Sequence, residues 1–189
     1  MDRASLNEAK KLAYRDPEVA LRELREIELM AARLDMSTKI KHLRGNELKC
    51  AREYRQAALF TLGMAKNLQK PVRFCPVEAS DYDFIATWED QGARHFAPIQ
   101  LKELVPESIN ANASIQAIVD GLVKYSSESL TVGIFLNRLG TFIPHEIKIP
   151  PLRIGALWFL FATAEDQSEW MLYGDVLGQP NATSFAYPT

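Results

Sequence analysis

Apolar residues in the first third of the chain recur at the three- and four-residue spacing of an α-helix. A first helix is predicted from Asp16 to Leu34, because Asp16 can cap it and Pro17 suits its first turn. Its apolar stripe comprises Leu21, Leu24, Ile27, Ala31 and Leu34. A second helix is predicted from Glu47 to about Asn67, with an apolar stripe that should face the core. The chain therefore opens with two amphipathic helices.

After Pro71 the apolar spacing changes from helical to alternating, which is the pattern of β-strands. Strands are expected at 72–77, 81–88, 95–101, 130–136, 154–161 and 170–177, and a further helix at 114–125. Gly92 marks the turn of a hairpin between the second and third strands, and the last two strands should form a closing hairpin. The helix at 114–125 connects the third strand to an apolar fourth strand, so these two should lie parallel. The predicted fold class is α/β.

The second and third strands carry polar residues at the end away from their shared turn. We place Glu89 opposite Arg94, because an opposite-charge pair beside the turn is favourable. The register that follows brings four polar residues to one face: Asp81, Asp83, Gln100 and Lys102. In it Asp83 lies across from Gln100, and the other two lie across from each other. The opposite face is apolar, and a one-residue slip would scramble this segregation.

This arrangement resembles the metal site of the PD-(D/E)xK nuclease superfamily, whose members share the restriction-endonuclease-like fold. The family pattern has an Asp on the second core strand and (Glu/Asp/Gln)-x-Lys on the third, which match Asp83 and Gln100-Leu101-Lys102. Tyr82 precedes Asp83 in place of the family's proline, and Gln100 is an amide in place of a carboxylate. The family core runs helix, three strands, helix, strand, and residues 47–136 follow that order.

The resemblance implies a division of the chain and a set of supporting residues. Residues 45–140 would form the nuclease-like core, 1–44 a helical segment on or beside it, and 141–189 a C-terminal β extension, all in one compact domain. An acidic residue on the first core helix often completes the family's site, and Glu47 is the first candidate for it and Glu53 the second. Gln116 is the nearest match to the polar residue that the next helix often supplies.

The activity implied by the resemblance is metal-dependent hydrolysis of phosphodiester bonds, with DNA favoured over RNA as the substrate and RNA left open. Mg²⁺, or Mn²⁺ in its place, prefers oxygen ligands, activates a bound water and neutralises charge on the phosphate. By the resemblance, Asp83, Gln100 and Glu47 would bind the metal, and Lys102 would orient the attacking water or stabilise the transition state. Asp81 is a further candidate at the same face.

Charge is unevenly distributed along the chain. The net charge is −2, yet residues 39–73 contain nine basic and two acidic residues. Such a block can bind a phosphate backbone, or it can be the solvated face of a helix. If nucleic acid binds there, the expected contacts are Lys39, Lys41, Arg44, Lys49 and Arg52.

Two other functions stay open at the level of sequence. One is a nuclease fold that binds nucleic acid or assembles a complex without cutting, which Gln100 and the negative net charge favour. The other is an interaction protein, or a homodimer, in which the helix at 16–34 binds the partner. Cys50 and Cys75 lack zinc-site spacing and are expected to be reduced core thiols of a cytoplasmic protein. No apolar run approaches the ~18 residues that span a bilayer, so no membrane partner is expected.

Overall fold

The computed structural model describes residues 3–33, 49–77, 79–138, 140 and 142–189. The helices in these residues are α1 (Arg3–Ala9), α2 (Pro17–Arg33), α3 (Lys49–Leu68) and α4 (Ile115–Asp120). The strands are β1 (Val72–Pro76), β2 (Phe84–Asp90), β3 (Ala93–Leu104), β4 (Ser126–Leu136), β5 (Arg153–Ala162), β6 (Glu169–Gly174) and β7 (Asn181–Ala186). Short 3₁₀ turns lie at Gly121–Lys124 and Pro144–Glu146.

The described strands form one seven-stranded sheet in which their spatial order is their order in the chain. β3 and β5 each pair parallel with β4, and all other neighbours pair antiparallel. The α/β class, the parallel pairing of β3 with β4 and the hairpin of β5 with β6 are therefore confirmed. The sequence pattern did not indicate α1 or β7, and β7 makes the C-terminal extension a three-stranded continuation of the sheet.

Helix α2 begins as its sequence predicts. The Asp16 Oδ1 atom accepts hydrogen bonds from the backbone N–H groups of Glu18 (2.9 Å) and Val19 (3.2 Å). These bonds satisfy two of the donors that every helix leaves unpaired in its first turn. Leu21 and Leu24 are buried, so α2 packs on the protein through the first part of its apolar stripe.

The remaining residues of the apolar stripe of α2 are relevant to the hypothesis that this helix binds a partner. Ile27 is 59% exposed, while the side chain of Ala31 and the whole of Leu34 lie outside the described residues. Because Leu21 and Leu24 are already buried within the chain, they are not available to a partner. In its described part, α2 therefore stabilises the core of its own chain.

Helix α3 lies between α2 and the sheet. All residues from Gln56 to Gly63 are buried, because this segment packs against α2 on one side and against strand residues such as Phe84 on the other. Gly133 of β4 allows the close approach of α3. A Cβ atom at Gly133 would lie 2.6 Å from Cε2 of Phe60, which is closer than van der Waals contact permits.

The opposite face of the sheet is covered by α4 and by the chain between β4 and β5. Ser114 caps α4, because its Oγ accepts a hydrogen bond from the Ala117 N–H at 3.1 Å. Val119 of α4 and Leu122 of the following 3₁₀ turn are buried against β3, β4 and β5. The protein thus has three layers, and a polar site on the sheet belongs to one face or the other.

The structure corrects the expectation for the two cysteines and leaves four expected site residues outside its described part. Cys50 is exposed and Cys75 is only partly buried, so the expectation of two core thiols is wrong. Burial raises the pKa of the Cys75 thiol. The expected site residues Lys39, Lys41, Arg44 and Glu47 lie outside the described residues. In the described part of the chain, no helix combines the length and apolarity needed to cross a membrane.

Candidate functional site

A tight turn fixes the register of the β2–β3 hairpin. The loop consists of Gln91 and Gly92, whose φ angles are 48° and 75°. Positive φ at both positions is typical of the hairpin turn whose twist matches that of the strands. The loop is shorter than the sequence indicated, but the predicted register is confirmed because Glu89 faces Arg94.

Asp83 lies at the first position beyond the paired part of this hairpin. β2 begins at Phe84, three residues later than predicted, yet the Asp83 N–H still donates to the carbonyl oxygen of Ile99 at 2.8 Å. The antiparallel register of the hairpin therefore extends one residue beyond the start of β2, to Asp83. Asp83 is placed beside Gln100, as the sequence predicted.

The side chains of Asp83 and Gln100 are in direct contact. The Oδ2 atom of Asp83 accepts hydrogen bonds from the Gln100 side-chain amide and from the Leu101 backbone N–H, the latter at 2.6 Å. The Gln100 Nε2 group also donates to the Leu101 carbonyl at 3.1 Å. Gln100 is only 7% exposed, so this pair is held in a protected position. Burial requires such polar groups to be hydrogen-bonded, and these bonds meet that requirement.

Two residues that the sequence reading did not select complete this polar group. The Tyr125 hydroxyl donates to Oε1 of Gln100 at 3.4 Å. The ammonium groups of Lys102 and Lys124 lie 5.5 Å and 5.3 Å from the centroid of the Tyr125 ring, within the range of a cation–π interaction. The sequence did contain a signal for Lys124 and Tyr125. They end the helical segment that follows β3, the strand that carries Gln100 and Lys102. We call Asp83, Gln100, Lys102, Lys124 and Tyr125 the hairpin site.

The hairpin site lies on the face of the sheet that α4 covers. Leu101 packs in the cluster that contains α3, and strand neighbours point to opposite faces, so Gln100 and Lys102 point away from α3. Their contact with Tyr125, which packs against the α4 cluster, agrees with this placement. The sheet therefore separates the hairpin site from every residue of α3.

That separation affects three residues expected to act at the site or beside it. Glu53 lies on α3, where its carboxylate pairs with Lys49 at 3.5 Å. Arg52, also on α3, lies 3.7 Å from the carboxylate of Glu103. Both distances describe ion pairs on the α3 side of the sheet. The structure does not bring Glu53, Lys49 or Arg52 together with Asp83.

Two further candidates lie away from the pair of Asp83 and Gln100. Asp81 is exposed, and no ion pair joins it to Lys102 among the described residues. Gln116 binds the backbone of Lys148 twice, donating to its carbonyl at 2.8 Å and accepting from its N–H at 2.9 Å. Gln116 therefore fastens the β4–β5 connection to α4 and does not point to the hairpin site.

The donor atoms of the hairpin site partly fit a hard cation. Asp83 and Gln100 offer carboxylate and amide oxygens, the ligand types that Mg²⁺ prefers. In the present arrangement the amide turns its NH₂ group to Asp83. Rotating the amide by half a turn would place Oε1 there, and two facing acceptors require a cation between them. Within the described residues there is no group of three or more His, Cys, Asp or Glu side chains arranged to bind a metal.

A separate cleft of about 380 Å³ lies at the carboxyl ends of β3, β4 and β5. Its walls come from the loops that follow these strands, the position where α/β sheets commonly bind ligands. Asn137 and Arg138 lie in its wall, but Asn137 donates to Glu103 at 2.8 Å and Arg138 to the Val105 carbonyl at 2.7 Å. These side chains serve to hold the loops in place.

Comparison of the chain with models of protein families, with curated proteins and with solved structures found no match.

Proposed function

We propose that this protein is a metal-dependent nuclease that hydrolyses phosphodiester bonds in DNA, with its active site in the hairpin site. The observation that carries the proposal is the contact between the Asp83 carboxylate and the Gln100 amide, with Lys102 following on the same face of β3. A carboxylate, an amide oxygen and an ammonium group within one hairpin end supply both metal ligands and a cation for the phosphate.

The order and pairing of the elements also support the proposal. From α3 to β4 the chain runs helix, three antiparallel strands, helix, and a strand parallel to the third. This is the order of the restriction-endonuclease-like core that the sequence resembles. If the chain shares that core, Asp83 and Gln100 would occupy the positions where its metal ligands are expected.

Each residue of the hairpin site would have its own role in the reaction. Asp83 would bind the metal through its carboxylate, and Gln100 through Oε1 after its amide has rotated. The bound Mg²⁺ would lower the pKa of a ligated water and offset charge on the phosphate. Lys102 would stabilise the negative charge that builds up on the phosphoryl oxygens. After that rotation the Tyr125 hydroxyl, which in the present arrangement donates to Oε1, would accept from Nε2 of Gln100 and hold the new orientation.

One observation favours a second candidate function, a nuclease fold that binds DNA without cutting it. The Gln100 amide donates to Asp83, so the pair is satisfied by its own hydrogen bonds without a metal. An amide also binds a cation less strongly than a carboxylate does. A protein of this kind would keep the phosphate contacts of Lys102 and lack the hydrolytic step.

A cleavage assay tests the proposal. The purified protein is incubated with plasmid, linear duplex and single-stranded DNA, with Mg²⁺, with Mn²⁺ or with chelator. The variants are Asp83→Asn and Lys102→Met, which keep the shape of each side chain and remove its charge. Glu146→Ala and Lys10→Ala are the controls, because both residues are exposed and lie outside the hairpin site.

The expected result is cutting that needs the metal, is lost in both site variants and is kept in both controls. Cutting that survives in Asp83→Asn would assign the activity to another site. DNA binding by the wild type without any cutting would support the second candidate function.

A further inference from the structure

The two lysines at the Tyr125 ring have no carboxylate partner among the residues that the structure describes. Neither Lys102 nor Lys124 forms an ion pair in the described part of the chain, although both ammonium groups lie over one ring. Four other described lysines pair with carboxylates, namely Lys11 with Glu8, Lys49 with Glu53, Lys66 with Glu18 and Lys70 with Asp90, while Lys10 and Lys148 stand apart from each other and from this ring. The hairpin site thus places two ammonium groups at one ring, neither of them in an ion pair with a described carboxylate.

The position of Lys124 is set by the fold. It ends the 3₁₀ turn in which Leu122 is buried, and the Tyr125 N–H donates to the Leu122 carbonyl at 3.0 Å. The Tyr125 side chain is fixed at its other end by its hydrogen bond to Gln100. Lys124 is exposed, so its ammonium group can reach a ligand in solvent while its backbone stays in place.

We propose that Lys124 and Lys102 bind neighbouring phosphates of one DNA strand, with the Tyr125 ring between them. The identity of the ligand rests on the proposed function, since a nuclease site must hold the backbone on both sides of the bond it cuts. Both ammonium groups lie within reach of one ring, so a strand that passes the ring can place a phosphate at each of them. Phosphate contacts of this kind position the strand without reading its bases. The hairpin site would therefore bind DNA of any sequence.

A salt titration of DNA binding tests this inference. A fluorescent duplex and a fluorescent single strand are titrated with protein in Ca²⁺, and anisotropy is followed from about 50 to 200 mM salt. Each phosphate that a lysine neutralises contributes about 0.9 to the slope of log K against log salt for duplex DNA. Lys124→Ala should lower that slope by about 0.9 and weaken binding several-fold, and Lys124→Arg should keep both.

Lys10→Ala is the matched control, because it removes the same charge from an exposed lysine of the N-terminal segment. An unchanged slope in Lys124→Ala beside a wild type that binds DNA overturns the inference and leaves the nuclease proposal standing. A lowered slope in a protein that does not cut supports the inference and overturns the hydrolytic proposal. A wild type whose DNA binding is absent or independent of salt overturns both. An equal change in Lys10→Ala would show a general charge effect and also overturn the inference.

Discussion

Replacing Gln100 by glutamate would give the hairpin site a second carboxylate, next to that of Asp83. In the present structure the Gln100 amide donates to Asp83 and to the Leu101 carbonyl, and the residue is 7% exposed. The substitution Gln100→Glu removes both donors and places a second carboxylate against that of Asp83. We therefore expect the variant to be less stable than the wild type when no metal is present.

The size of the loss follows from charge and burial. Two unit charges about 4 Å apart repel by about 4 kcal/mol at an effective dielectric constant near 20. The two lost hydrogen bonds add about 1 kcal/mol each, to give about 6 kcal/mol in all, and proton uptake by one carboxyl or rotation of the two side chains away from each other removes part of this loss. A net loss of about 2–4 kcal/mol remains, which for a chain of this size lowers Tm by about 4–16 °C.

Both pH and Mg²⁺ should reduce this loss. The repulsion needs two charged carboxyls, and it raises the pKa of one of them in the folded variant above the ordinary value of about 4. The loss is therefore complete only above that raised pKa and shrinks as the pH falls toward 4 and the group takes up a proton. A metal bound between the two carboxylates would stabilise the folded variant by about 2.7 kcal/mol at a hundredfold excess over its Kd.

Urea unfolding measures these differences. The free energy of unfolding is determined for the wild type, for Gln100→Glu and for Gln91→Glu, which adds the same charge at the exposed hairpin turn. Each is measured at pH 8 and pH 4.5, with chelator and with Mg²⁺. If Gln100→Glu is as stable as the wild type in chelator at pH 8, the contact between Asp83 and Gln100 is not the one described. A loss that Mg²⁺ leaves unchanged would speak against a metal at this position.

Three smaller changes test other parts of the structure. Gly133→Ala should cost about 1–3 kcal/mol in urea unfolding because its Cβ would meet Phe60, whereas Gly121→Ala, with open space around it, should be neutral; equal effects would contradict the packing of α3. Asp16→Ala should cost about 1 kcal/mol through loss of the α2 cap, and an unchanged midpoint would argue against that cap. Burial raises the pKa of Tyr14 to about 12. The free energy of unfolding should therefore stay constant up to about pH 10, the pKa of tyrosine in the unfolded chain, and decrease between there and about pH 12. The substitution Tyr14→Phe should reduce this decrease. An identical pH profile for that variant would assign the decrease to other groups.

The sequence predicted the hairpin well because the relevant information is local. The contact between Asp83 and Gln100 spans 17 positions, and the alternation of polar and apolar residues allows one register. The turn needed only Gly92 and a partner that tolerates positive φ. Those short-range rules placed the two central residues of the hairpin site before any tertiary contact was known.

Other parts of the site depend on tertiary packing, which the sequence pattern does not carry. Which face of the sheet a helix covers decides whether Glu53 can reach Asp83, and α3 lies on the opposite face. Tyr125 and Lys124 meet Gln100 and Lys102 only because α4 folds back over the other face. β7 was missed because its residues include few strongly apolar ones, and its place depends on pairing with β6.

The burial of α3 has a consequence for how the protein is made. Its apolar residues pack against Trp170, Leu172 and Phe185, which follow Phe60 by more than a hundred positions. At about 5–20 residues per second, a ribosome needs roughly 6–25 s to make the chain that separates Phe60 from Phe185. During that interval the surface of α3 that will face β6 and β7 has no native cover, although β1, β2 and β3 are completed early in it. The nascent chain should therefore be a chaperone substrate until its last strands emerge, even though each strand pairs with its nearest neighbour in sequence.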